Sequence, residues 1–479
     1  MFEQWCGAPL VRALALTPAG SARHYFRLYA HNQTAIGCYS NNVDENKAFV
    51  ALAQHFEKKQ LNVPKIYAVS TCQKYYLQQD LGDTSLFDYI REGRAAGTFS
   101  SAEKSALKDT LAHLARIQFE GIEGLDTLVC YPQPALDKDA VLWDLNYFKY
   151  CFLKPHSETI NEPLLQQDFE QLAAWICAQK NTCFLYRDGQ SRNVMWHRET
   201  PYFIDFQGGR LGMPHYDVAS FLYQARANFA DDLRHELLDA YLHAANRYPA
   251  FDASNFEQKL PVFALLRTLQ VLGAYGFRGY FERKAHFLQS IPWALKNLEH
   301  LLPRVAECKT LKIDYLRALL ENLLTTAPSA VETSNGLCVR VFSFSYLNGI
   351  PEDPAGNGGG FIFDCRNIEN PGRQEEFKAL TGLDLAVSQY LDGNEQMQTF
   401  LQHVYALVDT AVERYEARGF KNLLVGFGCT GGQHRSVYAA QHLAEHLHQK
   451  FADANVHLHH RERHLHNVFA AAKPTCRAQ

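Results

Sequence analysis

The segment with the clearest chemistry in this chain reads Tyr186-Arg187-Asp188-Gly189-Gln190-Ser191-Arg192-Asn193, and two apolar runs follow it, Val194-Met195-Trp196 and Tyr202-Phe203-Ile204-Asp205-Phe206. The residues between the two runs are typical of a turn, so we expect the runs to pair as a β-hairpin. With the turn centred near Glu199, Asn193 and Asp205 are predicted to lie opposite one another, at the end of the hairpin that the loop carrying Asp188 enters.

The three side chains that this hairpin brings together, those of Asp188, Asn193 and Asp205, all carry oxygen ligands. Such a set suits Mg²⁺ that bridges the phosphates of a nucleotide. Phosphoryl transfer also requires a carboxylate that orients and deprotonates the attacking hydroxyl. In the alternative interpretation these residues are only turn, cap and strand-end residues, but the hairpin spacing and a β-rich region upstream favour the catalytic one.

The composition is that of an ordinary globular protein, with 47% hydrophobic and 20% charged residues among 479. A net charge of 47 − 51 = −4 gives no chain-wide basic field for nucleic acid or a membrane surface. The longest apolar run, 261–277, is interrupted by Arg267 and Gln270 and falls short of the roughly 18 residues of a membrane span. Twelve cysteines without paired CxxC spacing indicate reduced thiols. We therefore expect a cytoplasmic protein with no membrane partner.

Element patterns divide the chain into two predicted domains joined by a linker. Residues from 1 to about 80 are rich in short strands, and residues from about 81 to 325 are mainly helical apart from the stretch 183–207. The segment 326–336 has no periodic apolar face and is rich in turn formers, as in a linker. Residues 337–479 alternate strands and helices and are predicted to form a separate α/β domain.

The first of these domains, 1–325, resembles the aminoglycoside phosphotransferase family of small-molecule kinases, and within it the anomeric kinases of N-acetylmuramate and N-acetylglucosamine. The stretches that carry the resemblance are Arg23–Arg27, Leu77–Asp83, Arg187–Asn193, Ile204–Gln207 and Arg210–Ser220. The resemblance implies an α+β bilobal protein-kinase-like fold with an N-lobe of about 1–80 and a C-lobe of about 81–325. It further implies an ATP-dependent kinase of a small sugar, in the first place an amino sugar, with ATP and Mg²⁺ as cofactors.

The same resemblance implies roles for individual residues. Asp188 would be the catalytic base, while Asn193 and Asp205 would hold Mg²⁺. The residues that bind ATP would belong to the hinge beside the adenine and to the loop over the phosphates: Gln78, Gln79, Asp80 and Leu81 in the hinge, and Gly20 and Ser21 in the loop.

Two positions depart from the family pattern. Tyr186 stands where the family commonly has His, and the strand 34–39 contains no lysine that could pair with the nucleotide phosphates. Glu45 could orient a substitute base, although it is equally expected as an exposed residue in the first turn of a helix. The candidate substitutes are Arg23, Arg27 and Lys47. The missing lysine keeps open a different function, that of a regulatory RNA- or metabolite-binding adapter whose kinase lobe only binds nucleotide.

In the second domain, the predicted strand 422–427 runs into Gly428-Cys429-Thr430-Gly431-Gly432-Gln433-His434-Arg435-Ser436 and then into a helix. Glycines let such a loop turn tightly and point its amide groups inward, and the helix N-terminus adds partial positive charge. Arg435 can hold two phosphate oxygens at once. The loop is therefore predicted to bind an anion. Cys429 and Arg435 also have the Cys-x5-Arg spacing of cysteine-dependent phosphatases, in which a thiolate attacks phosphorus, although Gly428 replaces the usual His before the cysteine.

Residues 337–479 resemble the C-terminal domain of RapZ, an RNase adapter protein that senses glucosamine-6-phosphate. The stretches that carry this resemblance are Ser343–Tyr346, Gly349–Pro351, Phe363–Arg366, Asn370–Pro371, Thr381–Asp384, Gly428–Val437 and His460–Arg461. The resemblance implies a phosphosugar site and a possible RNA partner. The residues of that site would be Thr430, Gly431, Gly432, His434 and Arg435, with Asp364 and Arg366 nearby.

Nine of the 21 histidines fall between His434 and His466. The histidines near the end of the chain could bind a metal ion, but the sequence has no cysteine or carboxylate set at structural-zinc spacing beside them. They are His457, His459, His460, His464 and His466. Four basic residues could contact RNA: Arg461, Arg463, Lys473 and Arg477. We favour the alternative, that they belong to a solvated tail.

Overall fold

The computed structural model of the chain describes residues 1–16, 23–157, 159–180, 182–282, 284–326, 337–351, 353, 360–451, 454–463 and 465–469. Gly20 and Ser21, predicted to lie over the nucleotide phosphates, and most of the linker expected at 326–336 fall outside the described residues. The chain divides into two compact units. The first comprises Met1–Phe281 with Ser290–Pro328, and the second comprises Glu282–Gln289 with Ser329–Gln479.

The first unit begins with a five-stranded antiparallel sheet in the order β1-β2-β3-β5-β4. The strands are β1 (Arg12–Ala15), β2 (His24–Tyr29), β3 (Thr34–Tyr39), β4 (Ile66–Val69) and β5 (Tyr75–Gln79), preceded by helix α1 (Phe2–Cys6). Helix α2 (Val43–Lys58) lies between β3 and β4 in the chain, and its apolar side is buried. The side chain of Asn42 accepts a hydrogen bond from the amide of Glu45 and so caps α2. The prediction of a β-rich N-lobe is confirmed.

Helices dominate the chain from residue 81 onward, as predicted. They are α3 (Leu86–Tyr89), α4 (Arg91–Ala96), α5 (Ser101–Phe119), α6 (Lys138–Phe148), α7 (Lys154–His156), α8 (Glu162–Cys177), α9 (Pro214–Leu222), α10 (Asp231–Ala245), α11 (Phe256–Gly276), α12 (Ala285–Leu288), α13 (Ile291–Ala306) and α14 (Asp314–Thr326). One stretch, Phe256–Phe281, is long and apolar enough to cross a membrane by length and composition, but 72% of it is buried inside the protein, as in a core helix. The bilobal protein-kinase-like fold that the sequence predicts is confirmed.

Two short antiparallel strand pairs interrupt the helices. Strands β6 (Cys183–Leu185) and β9 (Arg210–Gly212) form one pair, and β7 (Val194–His197) and β8 (Thr200–Phe203) form the other. The β7–β8 hairpin was predicted, but the predicted pairing register was wrong by one residue. Val194 pairs with Phe203, so the backbone of Asn193 faces Ile204 rather than Asp205. The turn consists of Arg198 and Glu199 alone, with φ of 51° and 59°, as in a two-residue hairpin turn.

The second unit contains a mixed sheet in the order β11-β12-β10-β13-β14. Its strands are β10 (Cys338–Ser345), β11 (Phe361–Asp364), β12 (Asn422–Cys429), β13 (Asn455–His460) and β14 (Leu465–Phe469), and its long helices are α15 (Leu385–Asp392), α16 (Glu395–Ala417) and α17 (Arg435–Lys450). The first four strands are parallel and only β14 is antiparallel. The carboxyl ends of the parallel strands therefore share one edge, where ligand sites of such sheets lie.

The histidine-rich region near the end of the chain is not a solvated tail over 455–469. Alternate residues of β13 are buried, with Val456 and Leu458 in the hydrophobic core of the second unit. Lys473, Arg477 and His464 lie outside the described residues. A solvated tail was expected for the four basic residues, and it is wrong for Arg461 and Arg463, which are half-buried in a short helical turn after β13.

Candidate functional site

Asp188 lies in the loop between β6 and the short helical turn Ser191–Asn193. One carboxylate oxygen accepts a hydrogen bond from the guanidinium of Arg267 on α11, and the other lies 3.9 Å from the Arg192 guanidinium. Burial alone would raise the pKa of Asp188, but the positive charges of Arg267 and Arg192 outweigh it and hold the pKa below its ordinary value. The predicted base is therefore ionised at neutral pH.

Asn193 and Asp205, the two predicted metal ligands, lie in the same region. The Asn193 side-chain amide donates to the carbonyl of Asp188 at 2.9 Å, which leaves its own carbonyl oxygen for a cation. Asp205 takes a left-handed backbone conformation with φ of 67° and accepts a hydrogen bond from Gln207 at 2.8 Å. Burial raises the pKa of Asp205, and the nearby negative charge of Asp188 adds to the effect. A divalent cation bound here would offset that repulsion.

A buried arginine, Arg23, lies next to these carboxylates, whereas β3 itself contains no lysine. Arg23 is 2% exposed, and its guanidinium lies 3.2 Å from Glu45 at the start of α2 and 3.9 Å from Asp205. The two other candidates are engaged elsewhere. Arg27 pairs with Asp80 and Asp83, and the exposed Lys47 pairs with Asp44.

The hinge residues predicted to contact adenine are buried at the end of β5 and just after it. Gln78 is 9% exposed and Leu81 is 5% exposed. The side-chain oxygen of Gln78 is buried and has no hydrogen-bond partner among the described residues, as expected of a group that a ligand amine would satisfy. Asp80 is bound to Arg27 and to the amide of Gly82, and Gln79 lies near the amide of Lys65. These contacts give Asp80 and Gln79 a structural role in shaping the hinge.

Two residues that the sequence analysis did not single out hold the loop that carries Asp188. Asp217 on α9 is fully buried and accepts hydrogen bonds from the amides of Tyr186, at 2.8 Å, and Arg187, at 2.7 Å. Burial raises the pKa of Asp217 to about 6, against the hydrogen bonds that lower it. Arg267 is the second, and its signal was available: a charged residue inside an otherwise apolar helix needs a buried partner.

The surroundings of Asp188 are positively charged. Arg267 is 6% exposed and also donates to Ser220, while Arg187 donates to Asp144 at 3.1 Å. Arg192, half of whose side chain is exposed, lies on the solvent side. An acceptor molecule that approaches Asp188 therefore meets guanidinium groups.

In the second unit, β12 leads through the predicted glycine loop into α17. Gly432 has φ of 63°, and a Cβ atom there would lie 2.5 Å from the Glu462 side chain and 2.9 Å from the Ser345 amide nitrogen. Only glycine fits this position. The carbonyl of Thr430 accepts a hydrogen bond from Ser345, while Gly431 has open space around it. The loop is thus fastened to the end of β10 and exposes its tip.

The remaining predicted phosphosugar residues divide into two groups. Arg366 and Arg435 both line an open depression of about 570 Å³, together with Asn370, Arg373, Asn394 and Glu395 among others. Thr430, Gly431, Gly432 and His434 are not among its lining residues. His434 is buried and bonds the carbonyl of Phe377. Asp364 pairs with Arg366, whose guanidinium also stacks on Tyr346. Three arginines, Arg366, Arg373 and Arg435, therefore line the depression.

The chemistry of Arg435 and Cys429 differs from that of a cysteine phosphatase. Arg435 is 5% exposed and donates to the carbonyls of Arg366 and Ile368, at 3.2 and 2.7 Å. Cys429 is 3% exposed, and its sulfur lies 3.1 Å from the hydroxyl oxygen of Ser436. A nucleophilic thiolate needs access to its substrate, which this buried position does not offer.

Comparison with known proteins finds two family models that match separate parts of the chain. Residues 19–253 match the model of a family described as "Phosphotransferase enzyme family", and residues 337–464 match the "RapZ C-terminal domain". The chain is similar to a nucleotide-binding protein of Thermotoga sp. (strain RQ2), with 33% identity over 193 residues that cover 39% of this chain and 66% of that protein. A nucleotide-binding protein of Paramagnetospirillum magneticum is 38% identical over 132 residues, which cover 28% of this chain and 41% of that protein. The chain therefore spans less than two thirds of the length of these curated relatives.

Solved structures of similar shape include a thermostable mutant of an aminoglycoside phosphotransferase, with a TM-score of 0.43 and 13% identity over 64% of this chain and 98% of that one. Another is the choline kinase LicA from Streptococcus pneumoniae, with a TM-score of 0.43 and 11% identity over 63% of this chain and 97% of that one.

The anchoring of the loop by Asp217 can be tested by Asp217→Asn, which keeps the size of the side chain but replaces one acceptor oxygen by a donor. One of the two loop amides then loses its buried partner, so we expect the free energy of unfolding to fall by about 1–3 kcal/mol. Chemical denaturation followed by tryptophan fluorescence measures this. Asp239→Asn, at an exposed site on α10, is the matched control and should stay within about 0.5 kcal/mol of the wild type. Equal effects of the two substitutions would contradict the assignment.

Proposed function

Because the chain joins a domain of the phosphotransferase enzyme family to a RapZ C-terminal domain, we propose that it transfers the γ-phosphoryl group of ATP to a hydroxyl of a small sugar, and that its second unit binds a phosphorylated amino sugar. The observation that carries the first part is the ionised Asp188, held by Arg267 beside the oxygen ligands of Asn193 and Asp205. A cytoplasmic location is part of the same proposal.

In this mechanism Asp188 accepts the proton of the attacking sugar hydroxyl while the oxygen forms a bond to the γ-phosphorus and the bond to ADP breaks. Asn193 and Asp205 would hold Mg²⁺, which would neutralise the charge of the phosphates when it is bound. The buried oxygen of Gln78 fits an adenine amine, and Leu81 provides an apolar contact for the base. The residues present therefore fit both ATP and Mg²⁺.

Arg23 supplies the cation that β3 lacks. Its guanidinium is fixed by Glu45 on one side and lies within 3.9 Å of Asp205 on the other, so it is placed beside the region where the phosphates would meet the metal ligands. A guanidinium binds phosphate oxygens at least as well as an ammonium group does. This position supports an active kinase over the alternative of a regulatory adapter with an inactive kinase lobe.

The charge around Asp188 bears on the acceptor. Arg267, Arg192 and Arg187 would repel a cationic acceptor and favour a neutral or acidic one. A sugar of the N-acetylglucosamine or N-acetylmuramate kind, with a neutral acetamido group and in the second case a carboxylate, fits that field. An acceptor that carries free amines would not.

In the second unit, three arginines around one open depression support the binding of a phosphosugar. Arg366, Arg373 and Arg435 can attract the phosphate, and Asn370 and Asn394 can bond sugar hydroxyls. The open tip of the glycine loop, at the N-terminus of α17, offers a further place for an anion. RNA remains a proposed partner of the adapter alternative, whereas the buried position of Cys429 argues against phosphate hydrolysis by its thiol.

The role of Asp188 is tested by Asp188→Asn in an assay of ATP consumption over a panel of amino sugars. Loss of the base should lower turnover on the best acceptor by about 10²–10⁴-fold. The affinity for ATP with Mg²⁺ should change little, because Asn193 and Asp205 remain. Thermal unfolding of the variant checks that Arg267, deprived of its ionised partner, has not disrupted the lobe. A folded variant with near-wild-type turnover would refute the assignment.

The role of Arg23 is tested by Arg23→Met beside Lys47→Met. The first removes the buried guanidinium next to Asp205, and we expect roughly a 10²-fold loss of turnover. The second removes an exposed lysine that pairs only across its own helix turn, and turnover should stay unchanged. Arg23→Lys should recover part of the lost activity, which a purely structural arginine would not show. Equal turnover of the two methionine variants would exclude Arg23 as the phosphate-binding cation.

Binding by the second unit is tested by calorimetry with glucosamine-6-phosphate, glucosamine and inorganic phosphate. We expect only phosphorylated ligands to bind, with affinity reduced by Arg373→Gln and more strongly by Arg435→Ala. Arg414→Gln, an exposed arginine on α16 away from the depression, is the control. Cys429→Ser should leave ligand binding intact. In a cysteine-dependent phosphatase the same substitution would abolish phosphate hydrolysis. No binding of any phosphorylated ligand at millimolar concentration would refute this part of the proposal.

A further inference from the structure

Three histidines converge on one face of the outer hairpin of the second unit. His459 on β13 pairs directly with His466 on β14, and His457 lies two residues before His459 on the same face. The diagonal neighbour of His466 across the hairpin is His457, because His457 pairs with Val468. His460 points to the opposite face, where it bonds Ser343 in the interior.

The ring nitrogens of these three histidines are close enough to share one ion. One nitrogen of each ring lies within 4.8 Å of the others. The rings of His459 and His466 are stacked with centroids 3.9 Å apart, and those of His457 and His466 are 5.8 Å apart. In a tetrahedral zinc site with Zn–N bonds of about 2.0–2.1 Å, the nitrogens lie about 3.4 Å apart. The lone pair of an imidazole nitrogen lies in the plane of its ring, so the stacked rings of His459 and His466 must rotate about their side-chain bonds out of this arrangement before both can bind one metal.

The neighbouring strand β10 contributes to the same face. Phe342 on that strand stacks on His459, with ring centroids 4.9 Å apart.

We propose that His457, His459 and His466 form a Zn²⁺ site on the second unit. A set of imidazoles without carboxylate or thiolate suits zinc rather than magnesium or calcium. Three protein ligands leave the fourth tetrahedral position to water or to an anionic ligand. The ion would cross-link β13 to β14, the strand at the edge of the sheet. The inference stands apart from the kinase and phosphosugar proposals, because none of its residues belongs to those sites.

The test is a zinc titration of the metal-free full-length protein against a chromophoric zinc chelator. We expect one tightly bound equivalent of zinc. His466→Ala should weaken zinc binding by roughly tenfold or more, because even the loss of a group that only orients a metal ligand costs about that much affinity. His466 is exposed, so its removal should leave the unfolding temperature of the metal-free protein unchanged. His403→Ala, an exposed histidine on α16, is the matched control and should bind zinc as the wild type does.

A third variant separates this site from the carboxylates of the kinase unit. Asp205→Ala should retain the bound zinc, and cobalt(II) in place of zinc should give the intense visible absorption of tetrahedral coordination in every variant except His466→Ala. Zinc binding that survives His466→Ala, that is lost equally in His403→Ala, or that disappears in Asp205→Ala would overturn the proposal. The three rings would then serve only as a stacked surface.

Discussion

The proposed active site of the first unit depends on one buried carboxylate that holds the backbone of the loop that carries Asp188. Asp217 gives one oxygen to each of two successive amides, those of Tyr186 and Arg187. Arg187 has φ of 77°, a conformation that a non-glycine residue keeps only when its surroundings impose it. Since Asp188 follows immediately, the direction of its carboxylate is set by this contact and by Arg267. The loop cannot relax without leaving buried amides unsatisfied.

The absence of a lysine from β3 has a local steric reason. A Cβ atom at Gly37 would already lie 3.2 Å from the Leu28 side chain, and Cys38 is 2% exposed, so the middle of this strand has little room for a long side chain. In the proposed kinase site Arg23, just before the neighbouring strand β2, provides the cation, and its guanidinium lies 3.2 Å from Glu45 at the start of α2. Phosphate binding requires a cation at a point in space rather than at a point in a sequence.

Local patterns predicted the hairpin, the lobes and the loop that leads into α17, because each depends on residues close together in the chain. Local patterns could not give the partner of Asp188, since Arg267 lies 79 residues away. They could not give the partners of Asp217 either, because the two amides that donate hydrogen bonds to it lie 30 and 31 residues away. The register error has a similar origin: the turn of Arg198 and Glu199 lacks the Asn-Gly signal that marks two-residue turns. No strand was predicted at β13, although buried Val456 and Leu458 alternate there with polar residues.

The charged groups of the two proposed sites differ, and this difference supports separate ligands. In the first, arginines surround the carboxylates of Asp188 and Asp205, and a divalent cation would relieve the repulsion between the two carboxylates. In the second, Arg435 is buried against two carbonyl oxygens, and its Nε atom has no acceptor among the described residues. Burial of such a guanidinium is costly, and in the proposed function an anion that enters the depression beside it would reduce that cost. A neutral sugar would gain little there, since the favourable interaction would come from the phosphate and not from the ring.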